Sequence, residues 1–150
     1  DRIVINFMTD SNLHDVKPTA LQEWIFQKMQ SATHLQGHLQ VARAAQLMSA
    51  QVRTATTSVL EKACGRGWIS VGDALCTYDP LTSFGITAAI SSAHHAASAI
   101  AGCLRKRPDA LRHYISIQQD TFNKSMNMLQ QQYKLEQRWS NSPFWQRRHC

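Results

Sequence analysis

The fold prediction begins at residues 67–104, which read GWISVGDALCTYDPLTSFGITAAISSAHHAASAIAGCL. Residues 68–71 combine aromatic and β-branched side chains and stop at Gly72, a pattern typical of a short buried strand. Asp79 and Pro80 match the N-cap and first turn of a helix, because proline lacks the N–H that a helix leaves unpaired there. The stretch therefore predicts a strand, an acidic loop and a helix N-terminus in succession, where a carboxylate and free N–H groups can face a ligand.

The same residues carry a resemblance to a known family. The triplet Gly72-Asp73-Ala74, followed by Pro80 and Gly85, resembles the second flavin-contacting motif of FAD-dependent monooxygenases and flavin-dependent halogenases with the para-hydroxybenzoate-hydroxylase fold. The fuller strings WISVGDA and DPLTSFGI are most similar to the tryptophan-halogenase-like branch. A second similarity lies near the end of the chain, where Glu-x-Arg-Trp and Ser-Pro-Phe-Trp follow one another at 136–145.

The resemblance implies FAD as the cofactor and assigns roles to nine residues. Asp73, with Gly72 and Ala74 beside it, is implied to hydrogen-bond the ribityl chain. The helix start is implied to face the pyrimidine edge of the isoalloxazine, through Pro80, Thr82, Ser83, Phe84, Gly85 and Ile86. No side chain is an evident general acid or base, so the catalytic residues stay unassigned. Phe84 stands where the halogenase pattern typically has threonine, so hydroxylation and halogenation both stay open.

The predicted fold class is α/β, as the C-terminal portion of a Rossmann-like FAD/NAD(P)-binding fold that is mostly helical with two or three short strands. The predicted regions are a strand of a substrate-domain sheet in 1–16, a helical connector in 17–50, FAD-domain strands with the Gly-Asp motif and a small-residue helix in 51–104, and a C-terminal helical tail in 105–150. Strands are expected at 2–8, 52–60 and 68–71, where β-branched and aromatic residues concentrate. None of the six glycines forms a Gly-x-Gly-x-x-Gly fingerprint, so the resemblance also implies that the chain is the C-terminal part of a longer flavoprotein.

Helical spacing of apolar residues predicts the remaining elements. Leu21, Trp24, Ile25 and Met29 form one face of a helix that opens at Pro18. Residues 86–104 are mostly alanine and serine, which allows a helix to approach a sheet or a cofactor closely. A long amphipathic helix, in one piece or two, is predicted to begin at 108–109 and to run for about thirty residues.

Charge and cysteine usage exclude several classes of partner. The net charge is +6, but the basic residues cluster at a helix end and at the end of the chain without interleaved aromatic residues, so no nucleic acid partner is expected. The four cysteines form no Cys-x-x-Cys pair, so neither a zinc site nor a disulfide framework is predicted, and reduced thiols in a cytoplasm are expected. The run 86–104 approaches membrane-spanning length, but its alanines, serines and central histidines favour burial in protein over lipid.

Two histidine pairs are candidates for metal ligands by their positions in the sequence. His34 and His38 have the spacing of a helical metal pair, but no third ligand accompanies them. His94 and His95 are adjacent, so on a helix they point about 100° apart and cannot share one ion. No metal site is predicted.

The predicted function is that of a flavin-dependent oxidoreductase of monooxygenase or halogenase type, which the resemblance implies acts through a flavin C4a-hydroperoxide. Its implied partners are a small-molecule or carrier-bound organic substrate, oxygen, and a flavin reductase or NAD(P)H. The alternative is a non-enzymatic helical interaction module, in which the alanine-rich and serine-rich helix is the core and the glutamine-rich helix presents a partner surface.

Overall fold

The computed structural model describes residues 4–33 and 49–149. The chain divides into two compact units, one of Asp1–Arg53 with Ser142–Phe144 and one of Thr54–Asn141 with Trp145–Cys150. The helices are α1 (Leu21–Gln30), α2 (Gly85–Leu104), α3 (Ala110–Leu135) and α4 (Pro143–His149). The strands are β1 (Ser58–Val59), β2 (Cys64–Gly65), β3 (Trp68–Ile69) and β4 (Cys76–Thr77), and short 3-10 helices lie at Ser11–Leu13, Pro18–Ala20, Gly72–Ala74 and Pro80–Thr82.

In the first unit, α1 is organised around Trp24. Its ring meets Phe7 edge-on with the ring centroids 4.9 Å apart, and His14 with the centroids 5.0 Å apart. The Lys28 ammonium lies 5.6 Å from the centre of the Trp24 ring, within range of a cation–π interaction. The predicted helix is confirmed, and its α-helical part begins after the 3-10 turn Pro18–Ala20.

The strand predicted at 2–8 does not form in its described part, because residues 4–8 are irregular. A strand needs a neighbour to satisfy its backbone N–H and C=O groups, and β propensity alone does not provide one. His34 and His38, for which no metal site is predicted, and the rest of the connector up to residue 48 lie outside the described residues.

The strands of the second unit form two antiparallel pairs. β1 pairs with β4 through Ser58 opposite Thr77, and β2 pairs with β3 through Cys64 opposite Ile69. Gly67 makes the turn between β2 and β3 with a φ of 83°, a value that favours glycine. The strands predicted at 52–60 and 68–71 are therefore present, but each is only two residues long.

The helices α2 and α3 form a hairpin that carries the core of this unit. Small residues line the buried side of α2, namely Ala88, Ser92, Ala96, Ala99 and Gly102. Ala96 and Ala99 share a cluster with Tyr114 of α3 and with Leu75 and Cys76. A Cβ on Gly102 would lie 2.6 Å from the Cβ of Ala110, so the glycine permits the close approach at the closed end of the hairpin.

The prediction of a mostly helical chain with few short strands is confirmed. The long helix after residue 109 is a single element of 26 residues. All strand pairs in the described part are antiparallel, so assignment to a Rossmann-like fold stays a prediction. No described helix combines the length and apolar character needed to cross a membrane.

Candidate functional site

The Gly-Asp motif packs against the second and third turns of α2 and is hydrogen-bonded to them. Gly72 has a φ of 56°, and a Cβ at this position would lie 3.3 Å from the Cβ of Ala89. The Gly72 N–H donates a 2.9 Å hydrogen bond to the Ser92 hydroxyl, which in turn donates to the Ala89 carbonyl at 3.0 Å. Because Ser92 is buried, this pair of bonds fixes the backbone of the motif against the helix.

Asp73 follows directly in the 3-10 helix Gly72–Ala74, and both Asp73 and Ala74 are exposed. The Asp73 carboxylate makes no hydrogen bond or ion pair within residues 4–33 and 49–149. An ionised carboxylate accepts hydrogen bonds only, so it is available to the hydroxyl groups of a ligand.

The second part of the site is the loop formed by residues 79–85. An oxygen of the Asp79 side chain, Oδ1, accepts a 2.9 Å hydrogen bond from the Leu81 N–H. The Asp79 carbonyl accepts both the N–H and the hydroxyl of Thr82, at 3.0 Å and 2.8 Å. The predicted N-cap is therefore confirmed, but it caps a 3-10 helix, Pro80–Thr82.

The α-helix predicted to start near Pro80 begins instead at Gly85. Ser83 interrupts it with a left-handed backbone, φ 51° and ψ 20°, which no α-helix can contain. The ring of Phe84 packs edge-on against Tyr78 with the centroids 5.2 Å apart, and Tyr78 lies 6.0 Å from Phe122 of α3. This aromatic contact anchors the C-terminal end of the 79–85 loop, at Phe84.

At the start of α2 three backbone donors remain unused. The N–H groups of Gly85, Ile86 and Thr87 have no hydrogen-bond partner in the described part of the chain, and the first regular bond joins the Ala88 N–H to the Phe84 carbonyl at 2.8 Å. Apart from its chain neighbours and the backbone of its own helix, no atom of residues 4–33 and 49–149 lies within 4 Å of the position where a Cβ on Gly85 would stand. This helix end therefore presents free donors and the positive end of the helix dipole beside open space.

Both parts of the predicted site lie along the first half of α2. Gly85 and Ser92 are seven residues apart, which corresponds to about 10 Å along the helix axis. The structure therefore brings Gly72, Asp73 and Ala74 to the side of α2, whereas Pro80, Thr82, Ser83, Phe84, Gly85 and Ile86 form or follow its entrance. No three His, Cys, Asp or Glu side chains of the described residues converge on a metal position.

Two residues that sequence reasoning missed support this arrangement. Ser92 holds Gly72, as described above, and the only sequence signal for it is a serine on the buried alanine face of α2. Tyr133, in the last turn of α3, donates a 2.7 Å hydrogen bond from its hydroxyl to Oδ2 of Asp79. Burial raises the pKa of Tyr133 above its usual value, and the hydrogen bond to Asp79 raises it further, so the phenol keeps its proton and donates. No local pattern signals that contact.

Comparison of the sequence with known proteins identifies a family to which this chain belongs. Residues 24–149 match the tryptophan halogenase family. A protein of Marinomonas mediterranea, LodB, whose name describes it as an FAD-dependent oxidoreductase, is 35% identical over 83 residues. That alignment covers 55% of this chain and 22% of the relative, so the chain matches less than a quarter of the relative's length. No solved structure matches.

Proposed function

Because the chain belongs to the tryptophan halogenase family, we propose that its residues 72–86 hold the ribityl chain and the ring of FAD in a flavin-dependent oxidoreductase. The observation that carries the proposal is that the Asp73 carboxylate, beside α2, and the N–H groups at the start of α2 all lack a hydrogen-bond partner among residues 4–33 and 49–149. The ribityl chain offers hydroxyl donors to the carboxylate, and the ring offers carbonyl acceptors to the N–H groups. The open space at Gly85 leaves room for a planar ring beside the helix end.

The residues of this chain would act by binding and by electrostatics. Asp73 would accept from ribityl hydroxyl groups, and the N–H groups of Gly85, Ile86 and Thr87 would face the pyrimidine edge. Reduced flavin is negatively charged at that edge, and a helix N-terminus with fixed donors stabilises such a charge without reorganisation. When bound, FAD supplies the reaction of its reduced ring with oxygen, which provides the oxidising equivalent.

The proposed reaction is oxygen transfer to, or halogenation of, an organic substrate that is either a small molecule or a group on a carrier. Reduced flavin would come from a flavin reductase or from NAD(P)H. Phe84 at the position where halogenases typically have threonine leaves both reactions as candidates. We place the protein in the cytoplasm on its cysteine usage.

The chain matches less than a quarter of the relative's length, which supports the proposal that it is part of a longer protein in which other segments also bind FAD. We propose that 51–104 belongs to a Rossmann-like FAD domain, 1–16 to a substrate domain, 17–50 to a connector and 105–150 to a helical tail. The adenine and pyrophosphate would then be held by a glycine-rich loop elsewhere in that protein, since such loops supply most of the affinity for dinucleotides.

Substitution of Asp73 in the full-length protein tests the proposal. We expect Asp73→Ala to weaken FAD binding by roughly tenfold to a hundredfold, because a hydrogen bond to a charged group contributes about 1.5–3 kcal/mol. Its melting temperature should not change, because the carboxylate has no partner within the described residues. The matched control is Asp120→Ala, which removes an exposed carboxylate from α3.

The measurement is the dissociation constant for FAD from flavin fluorescence quenching. Wild-type affinity in Asp73→Ala would contradict the ribityl assignment. A full-length protein that carries no flavin would instead favour the non-enzymatic helical module.

A further inference from the structure

The carboxylate of Asp79 joins two parts of the chain that are 54 residues apart. Its Oδ1 caps the Leu81 N–H at 2.9 Å, and its Oδ2 accepts from the Tyr133 hydroxyl at 2.7 Å. Each carboxylate oxygen therefore accepts a different hydrogen bond: Oδ1 accepts one within the 79–85 loop, and Oδ2 accepts one from α3. The orientation that caps the loop is the orientation that the tyrosine fixes.

The phenol is itself held in place from α4. The Arg148 guanidinium lies 5.3 Å from the centre of the Tyr133 ring, and Trp145 meets the ring with the centroids 5.9 Å apart. A nitrogen of His149, Nε2, lies 3.1 Å from the Tyr133 carbonyl oxygen. Tyr133 is only 6% exposed, so little water competes for its hydrogen bond to the carboxylate.

The 79–85 loop needs such support. Ser83 is a non-glycine residue with a left-handed backbone, and such a conformation persists only where surrounding contacts hold it. Within the loop, the N–H groups of Leu81, Thr82 and Ser83 and the Thr82 hydroxyl donate to Asp79 and Pro80, and the Phe84 N–H donates to the Thr82 hydroxyl. Asp79 accepts three of these five bonds, so its placement determines the course of the backbone into α2.

We infer that Tyr133 is a positioning residue that, through Asp79, sets the 79–85 loop in the conformation that receives the flavin ring. The flavin part of this inference rests on the proposed function, whereas the control of the loop does not. Tyr133 does not touch the cofactor in this account. It acts by keeping the entrance of α2 in one conformation before the ligand arrives, which reduces the ordering that binding would otherwise require.

The first experiment measures hydrogen exchange of the loop amides in the flavin-free full-length protein. Tyr133→Phe removes the donor but keeps the ring, and we expect roughly tenfold faster exchange at Leu81, Thr82 and Ser83. The matched control is Tyr114→Phe, the same change on the same helix, which removes a 2.6 Å hydrogen bond to the Ser70 carbonyl. In that variant exchange at the three loop amides should stay at the wild-type rate.

The second experiment measures FAD affinity of the same variants. Tyr133→Phe should raise the dissociation constant by roughly tenfold, and Tyr114→Phe should not change it. In an Asp79→Ala background, Tyr133→Phe should have no further effect on either measurement, because its action passes through that carboxylate.

The outcomes separate this inference from the proposed function. Unchanged exchange at all three loop amides in Tyr133→Phe overturns the inference, and so does an equal effect of Tyr114→Phe, which would indicate general loosening. Full additivity in the Asp79→Ala background also overturns it. If exchange rises as expected but Asp73→Ala and Tyr133→Phe both bind FAD like the wild type, the flavin site is misassigned: the proposed function and the flavin part of the inference are overturned, and the control of the loop by Tyr133 is supported.

Discussion

At the scale of single residues, Ser92 shows how one hydroxyl supports the Gly-Asp motif. It accepts from the Gly72 N–H at 2.9 Å and is 3% exposed. We expect Ser92→Ala to lower the free energy of unfolding by about 1–3 kcal/mol, because the Gly72 donor loses its partner. Ser91→Ala is the control, since Ser91 is exposed and should be neutral. Urea denaturation measures the stability of both variants. Equal denaturation midpoints for Ser92→Ala and the wild type would show that the Ser92 hydroxyl does not stabilise the fold.

The three tyrosines give a prediction for alkaline pH. Burial, followed by the neighbouring Cys76, raises the pKa of Tyr78 and of Tyr114 to about 12, and burial raises that of Tyr133. The unfolded chain therefore loses these protons first, at a pKa of about 10. Stability should be independent of these groups below pH 10 and should fall as pH rises from about 10 to 12. Ultraviolet titration checks this, and a folded protein whose tyrosines ionise with a pKa near 10 would contradict it.

At this scale the sequence indicated some roles and concealed others. Asp79 could be predicted as a cap because the Asp-Pro pair is a local signal. Its second contact, with Tyr133, could not be predicted, because it depends on where a helix end 54 residues later returns. The exposure of Asp73, and its lack of a partner among the residues that the structure describes, are likewise properties of the folded surface.

At the scale of elements, substitutions near the N-terminus of α2 can distinguish effects on FAD binding from effects on the stability of the fold. Gly85→Val should leave the protein folded, because the new Cβ would meet no atom of the described chain within 4 Å beyond its own neighbours and helix backbone, and the backbone there is not left-handed. The branched side chain would nevertheless occupy the space proposed for the flavin ring. Ala88→Val adds volume at a buried position and should cost about 1–3 kcal/mol of stability. We therefore expect loss of FAD with a normal melting temperature in the first variant, and a lowered melting temperature with less loss of FAD in the second.

Flavin content and thermal melting of the full-length variants distinguish these effects. Full flavin content and normal turnover in Gly85→Val would remove Gly85 from the site. Gly85→Ala provides a milder control, since replacement of a glycine whose backbone suits other residues is neutral or slightly stabilising.

The helices could be predicted from sequence more accurately than the strands. Helical periodicity is local, and it located α1, α2 and α3 with the main error at the start of α2. That error arose because an Asp-Pro cap fits a 3-10 turn as well as an α-helix, and Ser83 decides between them through its tertiary surroundings. The β-branched residues at 52–60 extend only where Ser58 and Val59 find a partner in β4.

At the scale of the whole molecule, α2 leaves an apolar side uncovered within the described chain. Ile86 is 80% exposed, Ile90 69% and Leu104 81%, and their spacing places them along one side of the helix. Exposed apolar surface of this kind promotes association. We expect the isolated 150 residues to self-associate at micromolar concentration, and Ile90→Gln to reduce this. Light scattering over a dilution series checks it, and a strictly monomeric wild-type segment would contradict it.

The same segment should also purify without colour. It would contact only the ribityl chain and ring of FAD, whereas the proposed pyrophosphate loop would lie elsewhere in a longer protein. The absorption spectrum near 450 nm of the purified segment, compared with that of the full-length protein, is the measurement. Stoichiometric, tightly bound FAD in the segment alone would show that these residues form a complete binding unit.

The hydrogen bond between Tyr133 and Asp79 also has a consequence for the order of events during synthesis. At about 5–20 residues per second, the ribosome adds Tyr133 roughly 3–10 s after Asp79. Throughout that interval the nascent 79–85 loop lacks the tyrosine that fixes it. We therefore expect the 79–85 loop to reach its final conformation, and FAD to bind it, only after α3 has been synthesised.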